Sequence, residues 1–169
     1  MTVSIREACL ADCRRIGEIS AWSWQYAYKD ILPAAYLAAI RPEDRAERFE
    51  KVLSSGSLLL VAESEGTIVG FISGGKCRDK LHPDYDGEVY AIYVDPATVK
   101  QGVGTKLMRS LEEHLAAEGM TGIVAWMLKG NEAKYFYEGL GGQKIGEDQF
   151  NIEGIAYPEI AYGWKIADR

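Results

Sequence analysis

Residues 2–9 alternate apolar and polar positions with a period of two, which predicts a short strand at a sheet edge. The period then lengthens to that of a helix over 11–29 and again over 34–53. Two apolar runs, 58–63 and 67–74, flank Glu65-Gly66 and predict a hairpin with a tight turn at that pair. A strand over 87–94 follows, then a helix over 103–118, a strand over 122–128, a helix over 131–139, and closing strands near 142–150 and 155–166. In the 103–118 segment Val103, Leu107, Leu111 and Leu115 recur at steps of four with Met108 beside them, so one face packs on a sheet. In the last strand Ile160, Tyr162, Trp164 and Ile166 share a face. Hairpins followed by strand–helix–strand units predict an α/β (α+β) fold with a mixed, mostly antiparallel central sheet and helices on both faces.

Length and composition narrow the classes of function. With 169 residues and 47% hydrophobic content, the chain can bury one core, and 1–169 reads as a single domain. A net charge of −6 leaves no surplus of Lys and Arg to displace counterions, which argues against a nucleic-acid partner. No run of about eighteen apolar residues is present, and no basic segment leads into an apolar one, so the expectation is a cytoplasmic protein with no membrane partner. Cys9, Cys13 and Cys77 form an odd, unclustered set with only His82 and His114 to join them, which argues against a metal site and against structural disulfides.

Candidate chemistry concentrates in Glu88-Val-Tyr-Ala-Ile-Tyr-Val-Asp-Pro96 and Val99-Lys-Gln-Gly-Val-Gly-Thr-Lys-Leu107, a strand, a glycine loop and a helix start. The first turn of a helix leaves N–H groups unpaired at the positive end of the macrodipole, so anions dock there. Gly102 and Gly104, lacking Cβ atoms, let a phosphate oxygen approach those amides. Charges on this helix oppose the macrodipole, with Lys106 and Arg109 early and Glu112, Glu113 and Glu118 late. An anionic ligand would offset that arrangement; pairing of Arg109 with Glu113 would be the plainer explanation for the arginine. The loop lacks the Gly-Lys-Ser/Thr of nucleotide triphosphatases, since Lys106 follows Thr105. The dinucleotide fingerprint also fails, with Leu107 where a third glycine or alanine belongs and no acid after Met127 and Leu128.

What remains resembles the acetyl-coenzyme A loop of the GNAT acyltransferase superfamily, Gln/Arg-x-x-Gly-x-Gly/Ala after a strand, with Val99 at the first position. A second segment, from Trp126 through Asn131, Ala133, Phe136, Tyr137, Glu138 and Leu140 to Gly142, is similar to that superfamily's Asn-x-x-Ala-x-x-Phe-Tyr-Glu-x-Leu-Gly-Phe. Asn131 stands one residue closer to the Phe-Tyr pair than in the pattern, and Gly142 replaces the terminal aromatic. The resemblance implies acetyl-coenzyme A as co-substrate, with Lys100, Gln101, Gly102, Val103, Gly104 and Thr105 at the pyrophosphate, the main chain of Ile92, Tyr93 and Val94 along the pantetheine arm, and Asn131 and Lys134 also at the coenzyme. Asn131 equally reads as a helix cap. Lys106, Arg109 and Lys129 add positive charge beside the motifs.

The implied activity is N-acetyl transfer to a primary amine of a small molecule or peptide, by direct attack and without a covalent enzyme intermediate. Tyr137 would protonate the departing thiolate, or it is an ordinary core tyrosine. Glu88 would take the proton of the ammonium, or it is an exposed strand-entrance glutamate. Trp24 and Tyr28 share a helix face and, with Tyr157, are the acceptor-binding candidates. Asp84 and Asp86 would attract a cationic amine or merely solvate a turn. The alternative function is a catalytically silent coenzyme A-binding or regulatory domain, and a glycine loop serving a nucleotide is a third reading. The chain could form a homodimer.

Overall fold

The computed structural model describes residues 2–79, 83–98 and 101–166. Seven strands, β1 (Ser4–Glu7), β2 (Leu58–Ser64), β3 (Thr67–Lys76), β4 (Gly87–Val94), β5 (Gly122–Leu128), β6 (Gln143–Ile152) and β7 (Ile155–Lys165), form a sheet in the order β1-β2-β3-β4-β5-β7-β6. The pairs β1–β2, β2–β3, β5–β7 and β6–β7 are antiparallel and β4–β5 is parallel, so the sheet is mixed and mostly antiparallel. The helices are α1 (Cys13–Ala27), α2 (Ala34–Ala38), α3 (Pro42–Ser54), α4 (Val103–Ala117) and α5 (Ala133–Gly139). No helix among the described residues is long and apolar enough to cross a membrane.

The chain divides into two compact units, Met1–Gly74 with Ala91–His114 and Gly75–Tyr90 with Leu115–Arg169. In the first, Cys13, Ile16 and Ile19 of α1 and Phe49 of α3 pack on Leu59, Val61 and Phe71. Next to Phe71, Gly70 faces the other way and lies under Val103 and Leu107 of α4, 3.2 Å from where a Cβ would stand. Successive strand residues point to opposite faces, so helices cover both sides of the sheet here. Gly17 is required by the crossing of α1 and α3, because a Cβ there would lie 2.4 Å from the Pro42 carbonyl oxygen. Before α1, Asp12 accepts the Cys9 N–H at 2.8 Å and is gripped by Arg6 at 2.8 and 3.1 Å.

The single helix expected over 34–53 is instead two. Pro42 has no N–H to donate and pushes Arg41 into an extended conformation (φ −107°, ψ 129°), so α2 ends and α3 restarts with the proline in its first turn. The apolar period runs on across the break, which is why it reads as continuous. In the second unit β5 pairs with β7 from Gly122↔Lys165 to Leu128↔Glu159, and β6 and β7 meet at a tight turn with Glu153 and Gly154 both at positive φ (51° and 80°). The Glu65-Gly66 turn has the same geometry, φ 50° and 77°, as its sequence predicts.

Candidate active site

The glycine loop turns the chain into α4 as expected. Gly102 sits at φ +82°, a conformation that side-chain-bearing residues rarely adopt, and its carbonyl accepts the Lys106 N–H at 3.2 Å. Val103, Gly104 and Thr105 then form the first turn, whose N–H groups have no acceptor within the helix. Val103 turns its side chain into the core, whereas Gln101 and Gly102 are exposed and Gly104 and Thr105 half-buried. Lys106 extends to the Val3 carbonyl at 3.4 Å. Among the described residues Arg109 makes no ion pair, so the i, i+4 bond to Glu113 is not what places it. Lys100 and Val99 lie outside the described residues. Ile92, Tyr93 and Val94 all remain partly exposed although β4 is the fourth strand of seven.

The second unit holds Glu88 and Tyr137. Glu88 is only 3% exposed, so it is not a solvated glutamate at a strand entrance. Arg78 satisfies it: Nη2 donates to Oε2 at 2.7 Å, Nε to both oxygens at 3.3 Å, and the Arg78 backbone N–H to Oε1 at 2.9 Å. The bond from Glu88 raises the guanidinium's pKa further above its ordinary range. The guanidinium also lies 4.3 Å over the Tyr90 ring, and Tyr90 Oη donates to the Lys76 carbonyl. Burial, with Glu88 adding to it, pushes the Tyr90 phenol up. On β7, Glu159 is pushed up by burial and then by Asp148 and Glu88.

Tyr137 is 5% exposed and stacks on Trp164 and Tyr162, with ring centroids at 5.7 and 6.2 Å. Its carbonyl accepts the N–H groups of Leu140 at 3.1 Å and Gly142 at 2.9 Å. A Cβ on Gly142 would lie 2.6 Å from that carbonyl oxygen, which accounts for a glycine where the family pattern has an aromatic. The helix carrying Tyr137 begins two residues later than expected because Asn131 folds over its start, Oδ1 accepting the Ala133 N–H at 2.9 Å. Lys134 rests 4.9 Å over the ring of Tyr135.

Of the acceptor candidates, Trp24 and Tyr28 do meet, edge to face at 4.7 Å, and Trp24 Nε1 donates to Tyr93 Oη at 2.8 Å. Tyr157 lies on β7 opposite Phe150. Asp86 is a structural turn residue whose Oδ1 accepts the N–H groups of Thr121 and Gly122 at 2.9 and 3.0 Å. Burial alone would raise its pKa, but those two bonds bring it below the ordinary value. No group of three or more potential metal ligands occurs among the described residues. Two arginines outside every motif complete the picture. Arg78 engages Glu88, and Arg45 of α3 lies 4.8 Å over Trp24. No spacing rule links either residue to its partner.

Comparison with known proteins bears on the family and the fold. The model of the acetyltransferase (GNAT) family matches residues 18–141. An uncharacterized N-acetyltransferase, YuaI of Bacillus subtilis, is 30% identical over 162 residues, covering 96% of this chain and 92% of that protein. The L-amino acid N-acyltransferase MnaT of Escherichia coli is 29% identical over 146 residues, 82% of this chain and 78% of MnaT. The structure of YncA, a putative acetyltransferase from Salmonella typhimurium with its cofactor acetyl-CoA, superposes with a TM-score of 0.72 at 24% identity, covering all of this chain and 96% of that one.

Proposed function

Because the chain belongs to the GNAT acetyltransferase family, we propose that it transfers the acetyl group of acetyl-coenzyme A to a primary amine of a small molecule or peptide by direct attack. The observation that carries this reading is the loop from Gln101 to Thr105, where Gly102 at φ +82° delivers the chain into α4 and presents first-turn amides to an anion. These residues, with Lys100, hold the pyrophosphate. Main-chain groups of Ile92, Tyr93 and Val94 line the pantetheine arm, which accords with their partial exposure in a central strand. Lys134 adds charge at the coenzyme, and Asn131 contributes through the helix start, where its Oδ1 holds the Ala133 N–H.

An alkylammonium with a pKa near ~10.4 must lose a proton before it can attack, and Glu88 is the group to take it, directly or through water. The amine nitrogen then bonds to the thioester carbonyl carbon, the C–S bond breaks, Tyr137 protonates the leaving thiolate, and the nitrogen's second proton is lost through solvent, which also reprotonates the tyrosinate. A phenol near ~10 can give its proton to a sulfur whose pKa is ~8.5, because the proton moves as charge develops. The stacking of Tyr137 on Trp164 fixes its ring for that role. Trp24, Tyr28 and Tyr157 contact the acceptor. A carboxylated amine is a natural candidate, in view of the similarity to an L-amino acid N-acyltransferase. The protein would act in the cytoplasm.

Thermal shift tests this reading against its alternatives. Acetyl-coenzyme A raises the melting temperature and ATP does not; stabilisation by ATP alone would return the loop to a nucleotide site.

A further inference from the structure

The first unit holds a guanidinium that nothing described there neutralises. Arg45 of α3 is half-buried, and among the described residues no carboxylate pairs with it. The positions three and four residues from Arg45 are Arg41, Pro42, Arg48 and Phe49, so none of the α3 acids, Glu43, Asp44, Glu47 and Glu50, stands at ion-pairing spacing. It lies 4.8 Å over the ring of Trp24. Trp24 in turn stacks edge to face on Tyr28 and donates Nε1–H to the hydroxyl of Tyr93 at 2.8 Å. The phenols of Tyr93, Tyr36 and Tyr28 are the remaining polar groups that face the cation, and Arg48 opposes it. Burial pushes the Arg45 pKa down and that of Tyr93 up, as expected of a cation and a neutral phenol packed among rings.

Burying a guanidinium is costly unless it is paired, and a cation–π contact uses only the ring-facing surface of its plane. The five N–H donors lie in that plane, in a fork that matches a carboxylate or phosphonate. Arg45, Trp24 and Tyr36 keep partial exposure, so the fork is open to a ligand from solvent. Tyr93 also belongs to β4, the strand whose main chain is proposed to hold the thioester arm. Arg45 is thereby linked, through Trp24 and the Tyr93 hydroxyl, to the strand proposed to hold that arm.

We propose that Arg45 is the specificity residue that binds the carboxylate of the acceptor, so that the preferred substrates are amines carrying an anionic group, of the α-amino acid type. The inference rests on the N-acetyltransferase reading. Trp24 holds the guanidinium flat, Tyr93 anchors Trp24 from beneath, the Tyr36 ring lines the body of the acceptor, and the fork of Arg45 selects acids over their neutral amides.

The test measures kcat and KM for coenzyme A release with the L-amino acids and with the same compounds as carboxamides, in the wild type, Arg45→Met and Arg45→Lys. For at least one acceptor the wild type should favour the acid by roughly 10- to 100-fold in kcat/KM, chiefly through KM, the range expected of a charge-assisted hydrogen-bonded pair. Arg45→Met should bring the acid-to-amide ratio to near one, and Arg45→Lys should restore part of it, as the cation without the fork. Acetyl-coenzyme A affinity and melting temperature, measured alongside, report whether each variant is folded. A wild type indifferent to acid versus amide overturns the proposal without recourse to any variant, as does a preference that survives in Arg45→Met. A wild type that releases coenzyme A with polyamines or aminoglycosides and with no amino acid overturns the Arg45 proposal alone, whereas one that binds acetyl-coenzyme A and releases no coenzyme A with an amine of any class overturns the acetyltransferase reading itself.

Discussion

Arg78 closes over Glu88 like a lid on a buried anion: its side chain is 65% exposed, the glutamate's 4%, and they meet at 2.7 Å. The pairing supplies a counter-charge at low conformational cost, because the Arg78 backbone N–H holds the same carboxylate. Removing the guanidinium by Arg78→Met leaves a buried carboxylate with one fixed donor, and we expect a loss of roughly 1–3 kcal/mol, discounted from the fully buried case because Arg78 itself is exposed. Urea denaturation measures it. Unchanged stability would mean that water replaces the arginine without cost.

Glu88→Gln separates structure from chemistry at the same place. If Glu88 is the base, kcat falls by roughly 10²- to 10⁴-fold while acetyl-coenzyme A affinity is kept. A variant that melts earlier and still turns over normally would leave Glu88 a structural partner of Arg78 only.

For Tyr137→Phe the ring contacts with Trp164 and Tyr162 survive. The expected outcome is a fall in kcat of about 10²-fold or more with unchanged coenzyme affinity, since only the proton donor is lost. Full turnover would assign Tyr137 to packing alone.

Gly142→Ala places a Cβ 2.6 Å from the Tyr137 carbonyl oxygen, an overlap only a backbone shift relieves. We expect a loss of about 1–3 kcal/mol, which in a chain of this size lowers the melting temperature by roughly 2–12 °C. Because the displaced backbone carries Tyr137, turnover should fall as well. A melting temperature equal to the wild type's would show that the turn relaxes freely.

Acid stability turns on Asp12, whose pKa the hydrogen bonds from Arg6 bring down to about 2, against the opposing effect of burial and with help from Cys9. The depressed value means that the bridge stabilises the fold fully above the unfolded-state pKa near 3.8 and is lost as pH falls through about 2. Asp12→Asn should therefore cost roughly 1–2 kcal/mol at pH 6, with the gap closing between about pH 4 and 2. Urea midpoints across that range measure it, and a gap independent of pH would contradict the ion-pair origin.

The parts of the fold and site that could be read from the chain are those written in contiguous residues. Glu65-Gly66 encodes its own turn, and Gly102 encodes the turn into α4, because each depends only on backbone freedom at that spot. The bond from the Ala133 N–H to Asn131 Oδ1 at the start of α5 is legible for the same local reason, since it spans two residues. The break at Pro42 carried a local signal too, masked by an apolar period that continues across it. Arg78 with Glu88 and Arg45 with Trp24 were not legible, since each pair joins separate elements whose approach the tertiary fold alone determines.

Coenzyme A release from acetyl-coenzyme A, followed across polyamines, aminoglycosides, amino acids and short peptides, addresses N-acetyl transfer most directly. The expected result is release that depends on the acceptor and saturates with it. Tight acetyl-coenzyme A binding with no acceptor-dependent release across the panel would contradict it and favour a silent coenzyme-binding domain.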